Sequence, residues 1–145
     1  MNDKKQIIKN IIDKTAPKRS VLKNVIKAFF IGGTICMIAQ LIKMLLMNFF
    51  DETLSNTLST ITMILIASLL TAFGVYDKIG QVGGAGTIIP ITGFANSVTS
   101  SAMEYKSEGV VTGIINNMLK LAGSVIVTGV ISSFIVATIL YLLGA

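Results

Sequence analysis

From Leu58 to Tyr76 the chain carries no charged side chain, and every position is apolar, small or hydroxyl-bearing. As a helix rising 1.5 Å per residue, a run of this length matches the roughly 30 Å hydrocarbon core of a bilayer. In lipid each backbone amide must find its partner within the protein, so a chain built on such runs is restricted to helices or a closed barrel. Unalternating apolar runs of this length favour helices. The expected fold is therefore all-α: a polytopic helical membrane protein with three to four spanning helices.

The other long runs agree. Asn24 to Phe50 is interrupted only by Lys27, Gln40, Lys43 and Asn48, and Leu121 to Leu143 carries no charge. The sequence predicts spans over about 24–50, 58–76 and 109–143, with a short turn from Asp51-Glu52 to Thr57. Residues 79–107 are different. They hold Gly80, Gly83, Gly84, Gly86, Pro90 and Gly93, then Asn96, Ser97, Thr99, Ser100 and Ser101. This stretch is too apolar for an ordinary loop and too broken for an ordinary spanning helix. Irregular backbone at membrane depth is tolerated where protein buries it or a wet cavity borders it. The expectation is a Gly/Pro-broken re-entrant or discontinuous element. A surface loop and a fourth crossing over residues 84–103 are the alternatives.

Charge is scarce and uneven. Charged residues make up 13% of the 145, against about a quarter in soluble domains. Eight of the 12 Lys and Arg lie between Lys4 and Lys27, against Asp3 and Asp13. Residues 1–23 thus form a basic arm, and residues 24–145 the transmembrane domain. Ile7, Ile8, Ile11 and Ile12 recur among the lysines at helical spacing, as in an amphipathic helix lying on anionic lipid. A solvated tether is the plainer alternative. The arm is too long for the basic region of a cleavable signal. Basic residues before the first span place the N-terminus in the cytoplasm. No aromatics interleave with the lysines, so no nucleic-acid partner is expected.

The chain has one cysteine, Cys36, and no histidine. Zinc sites of the usual Cys/His type and imidazole catalysis are thereby excluded. Ser97, Ser100 and Ser101 could be read as nucleophiles, but a serine needs a base, and only Lys106 or Lys120 could serve. The run GQVGGAGT lacks the Lys-Ser/Thr ending of a phosphate loop. No enzyme, metal or cofactor is expected.

Polar residues inside a bilayer are costly, so the direction they face is informative. Gly33, Cys36, Gln40, Lys43 and Met47 share one helical face. Thr57, Thr60, Ala67, Ser68, Thr71 and Gly74 share another. Gly109, Gly113, Asn116, Lys120, Gly123, Ser124 and Thr128 share a third. Small residues in such stripes let helices pack closely. Gln40, Lys43, Asn116, Asn117 and Lys120 point instead to a water-filled path, although both lysines could also snorkel to the interface. Three or four helices of this length cannot enclose such a path alone, so a homo- or hetero-oligomer is expected. The alternative class is a non-conducting scaffold that recruits a soluble partner.

Two runs resemble a known family. APKRSVLKNVIKAFFIGG, Ala16 to Gly33, with Cys36 and Gln40, is similar to the sporulation membrane proteins AC and AE-b. So is YDKIGQVGGAGTIIPITGFANSVTSSAMEYKSEGVVTG, Tyr76 to Gly113. The basic segment before the first helix is closer to the AC branch. The resemblance implies a multi-pass protein of the endospore inner membrane. It implies a channel subunit, linked to mechanosensitive activity, that moves dipicolinic acid as its calcium chelate into the forming spore and out at germination. It implies partners of the AE-b and AD types from the same operon. The shared central motif points to Gly83, Gly84, Gly86, Pro90, Asn96 and Glu104 as functional positions.

Overall fold

The computed structural model describes residues 20–144 and Gln6. The expected basic arm lies outside the described residues, apart from Gln6 and residues 20–23. Among the described residues every element is helical and there is no strand. Three helices are long and apolar enough to cross a membrane.

Helix α1, Val21–Leu46, is continuous over 26 residues, or about 39 Å. It starts ahead of the expected Asn24 and stops before Phe50. A short turn then leads to Asp51, whose carboxylate accepts a hydrogen bond from the Leu54 amide at 3.3 Å. This cap satisfies an amide that the first helical turn leaves free, and Glu52 adds negative charge where the helix dipole favours it. Helix α2, Glu52–Ala72, therefore absorbs the Ser/Thr/Asn cluster expected to form a turn. The hydroxyls of Thr57 and Thr60 bond back to carbonyls of their own helix.

The pairing of α1 and α2 leaves most of the polar stripe of α1 outside the packed face. Gly33, Cys36, Gln40 and Met47 are exposed, and of that stripe Lys43 alone is half-buried. The packed ridge is Ala28, Ile31, Gly32, Ile35, Ala39 and Ile42. Its N-terminal part meets Gly83 and Gly86, and further along Ala39 meets Ser59 of α2, whose buried face is Ser55, Ser59, Met63 and Ala67. The Ser59 hydroxyl donates to the Ala39 carbonyl at 2.8 Å across the pair. Small side chains on both ridges allow this approach.

Helix α2 ends at Ala72, where Gly74 adopts φ 68°. The glycine-rich stretch then folds into three short helices. These are α3, Val75–Gly83; α4, Ala85–Ile88; and α5, Ile91–Glu104. Gly84, at φ 49° and ψ −123°, breaks α3 from α4. Pro90, at φ −62° and ψ 159°, precedes α5. The 14 residues of α5 extend about 21 Å, short of the hydrocarbon core. Residues 84–103 thus do not make a continuous fourth crossing. Helix α4 is held against α1 by Gly86, whose absent side chain leaves room for the backbone of Ala28. Helix α5 runs back along α2, with Ala95 packed in a small core with Ala67 and Tyr76.

A 3-10 turn, Tyr105–Glu108, leads to Gly109 at φ 98°. Val110–Ile115 forms a π-helical turn, continued by α6, Asn116–Leu143. The expected single helix from residue 109 is thus two helical forms on one axis. Only the start of α6 packs against the chain. Every described residue from Ser124 onward is exposed.

A polar cleft between α5 and α6

The core of the broken segment is tied by Tyr76. Its hydroxyl donates to the Thr87 carbonyl at 2.9 Å and lies 2.9 Å from the Thr92 hydroxyl. Thr87 is in turn bound to the Gly84 carbonyl. These three buried side chains fix α3, α4 and the start of α5 together. Thr92, Gly93 and Ala95 are buried. Asn96, Ser97, Ser100, Ser101 and Glu104, at spacings of one, three and four, form the other face of α5.

That face borders a cleft of about 470 Å³, closed on the far side by Tyr105 and by Asn117, Lys120 and Leu121 of α6. Asn117 is buried, and its amide nitrogen donates to the Gly113 carbonyl at 2.9 Å. Its oxygen accepts from the Lys120 ammonium at 3.3 Å. Lys120 is thus oriented by a neutral amide. Glu104 borders the same cleft, yet the only ion pair among the described residues is Lys43–Glu52. An ammonium group not neutralised by a carboxylate keeps its attraction for an anion.

A second cleft of about 210 Å³ adjoins the first and shares Asn96 and Ser97 with it. Asp77, Gly80, Thr87 and Gly93 border it. Asn96 sits where the two meet, 2.8 Å from the Thr71 hydroxyl of α2. Together the clefts make a polar track along α5, with hydroxyl and amide groups between Asp77 at one end and Lys120 at the other. Among the described residues, no three His, Cys, Asp or Glu side chains converge as metal ligands do.

The structure gathers four of the sequence-predicted residues, Asn96, Glu104, Asn117 and Lys120, at this cleft. The others lie elsewhere. Gln40 is exposed on α1, and Lys43 pairs with Glu52 at 3.0 Å where α1 meets α2. Gly83 and Gly86 are buried, beside Ile31 and Ala28 of α1, and Gly84 is the exposed break. Pro90 borders an apolar groove with Gly32, Gly33 and Cys36. Asn116 is exposed, in a shallow depression with Thr112 and Leu119. Sequence reasoning missed Tyr76, Thr92 and Tyr105 as members of the site, and singled out no serine of α5 as bordering it. The polar period from Asn96 to Glu104 was the signal that could have found the α5 face.

A family model described as SpoVAC/SpoVAEB sporulation membrane protein matches residues 24–139. The Bacillus subtilis (strain 168) protein described as Stage V sporulation protein AC is 48% identical over 141 residues, covering 96% of this chain and 94% of that one. No solved structure matches the chain.

Proposed function

This chain belongs to the SpoVAC/SpoVAEB sporulation membrane protein family, and from that premise we propose that it is a channel subunit passing dipicolinate, as its calcium chelate, across the inner membrane of the endospore. The observation that carries this reading is the polar cleft bordered by Lys120, Asn117, Asn96 and Glu104. Dipicolinate is a small, flat dianion, and its one-to-one calcium chelate carries no net charge but keeps carboxylate oxygens that accept hydrogen bonds. A route for either form through a bilayer needs fixed hydrogen-bond donors and a cation near the carboxylate oxygens. The hydroxyls of Ser97, Ser100 and Ser101, the Asn96 amide and the Lys120 ammonium provide them.

The cleft is open on one side, since only α5, α6 and the turn between them border it. A second copy of the chain, or an AE-b type relative, would complete the wall, so the conducting unit is proposed to be an oligomer. A soluble AD-type partner would deliver or receive dipicolinate. Conduction is proposed to be passive.

The test is dipicolinate release from liposomes that contain the purified chain, alone and with its AE-b type relative. The expected result is release above that of empty liposomes, reduced by Lys120→Glu at equal protein content. If correctly inserted protein gives no release in either composition, the channel reading fails and the scaffold reading replaces it.

A further inference from the structure

The turn Val110–Ile115 is π-helical: the Ile114 amide bonds to the Gly109 carbonyl, and the Asn116 amide to the Val111 carbonyl, each five residues back. A π turn holds one residue more than the α turn it replaces, and such turns often occur at functional positions. Relative to an unbroken α-helix from Gly109, each residue of α6 therefore sits one position behind. Restoring α-type bonds would advance α6 by one residue, a rotation of about 100° with a rise of about 1.5 Å.

We propose that this turn is a rotary joint that moves the Lys120 ammonium along the wall of the cleft, from its present position to that of Leu121. Three observations carry it. First, the chain has asparagine at both 116 and 117. In the present register Asn117 fills the buried position, with its amide on the Gly113 carbonyl, while Asn116 is exposed. After a one-residue advance Asn116 takes that position, so the buried amide is retained in both registers. Second, the same advance puts Leu119, now exposed beside Asn116, where Lys120 stands. Lys120 in turn takes the position of Leu121, which also borders the cleft, so the ammonium is displaced along the wall rather than lost. Third, all described residues beyond Gly123 are exposed. Most of α6 can turn without breaking a contact inside the chain.

The proposal rests on the reading of the cleft as a solute path, along which the register of α6 sets where an anion meets the ammonium. Its test reads helix register directly and needs no flux. In a Cys36→Ser background, Ser100→Cys is combined with either Lys120→Cys or Leu119→Cys, and disulfide formation is measured in membranes. Both pairs are expected to cross-link in the full chain. Deleting Val111 removes the extra residue, turns the π turn into an α turn and leaves Lys120 in the cleft. The deletion is expected to keep the 100–120 cross-link and reduce the 100–119 cross-link at least tenfold. Failure of the 100–119 pair in the full chain overturns the proposal, whether or not the deletion variant folds. An undiminished 100–119 cross-link in a folded deletion variant also overturns it. Absence of dipicolinate release with both cross-links intact would count against the channel reading alone.

Discussion

Asn117 Oδ1 lies 3.3 Å from Lys120 Nζ on the next turn of α6, while its amide nitrogen is committed to the Gly113 carbonyl. The buried amide orients the lysine, and the turn before α6 orients the amide. The charge in the cleft is thus set by backbone geometry several residues away.

Lys120 is the first position to test. Lys120→Glu reverses the charge facing the cleft and is expected to lower dipicolinate flux about tenfold or more. An ion at a low-dielectric wall feels such a change more strongly than one in water. Lys120→Arg should retain most of the flux, and Lys120→Gln should fall between. Flux is measured in liposomes and normalised to inserted protein. Unchanged flux through a well-inserted Lys120→Glu protein would remove this residue from the path.

Gly86 should be intolerant of any side chain. A Cβ there would collide with the Ala28 carbonyl of α1, whereas one at Gly129 would meet nothing. Gly86→Ala is expected to destabilise the protein by about 1–3 kcal/mol, the usual cost of overpacking. Gly129→Ala should be close to neutral. Thermal unfolding of both variants in detergent makes the comparison, and equal midpoints would contradict the close approach of α1 and α4.

Tyr76→Phe removes the hydroxyl that joins Thr87 and Thr92. Tyr76 and both threonines are buried, so their polar groups lose a partner that water cannot replace. The expected loss is about 1–3 kcal/mol of stability. Proteolysis should reach the Gly84–Pro90 segment sooner than in the parent protein. Cleavage elsewhere first would indicate that Tyr76 does not hold this segment.

The Lys43–Glu52 pair should matter little. Its distance is 3.0 Å, but the Glu52 side chain is 69% exposed. Solvent-exposed pairs contribute about 0–1 kcal/mol, and salt screens them. Lys43→Gln is expected to shift stability by less than about 1 kcal/mol, with the difference shrinking at high ionic strength. A large, salt-independent loss would assign Lys43 a role beyond this contact.

Much of the architecture was legible in the sequence. Uncharged apolar runs, with their total length and lack of alternation, determined helices that cross a membrane, because hydropathy and helix length are local properties. Gly84 and Pro90 marked breaks for the same reason: one has a backbone geometry that favours glycine, and the other cannot continue a helix from its N-terminal side. Asn117 and Lys120 stood out as polar groups that a bilayer penalises, and the resemblance of the central run to the family pointed to Asn96 and Glu104. Which face of α1 packs was not legible. In lipid an apolar face meets tails or protein at similar cost, so only the fit to α2 and to Gly86 selects Ala28, Gly32 and Ala39 over Gly33, Cys36 and Gln40. The choice of Asn117 over Asn116 was likewise hidden. Helical periodicity assumes α-type hydrogen bonds, and one π turn shifts every later residue by about 100°. The sequence by itself determined that apolar helices span a membrane and where the chain between them breaks, and left three or four crossings open. Tertiary structure alone decided which sides face each other, because that depends on backbone approach and hydrogen-bond register, and neither leaves a periodic trace in composition.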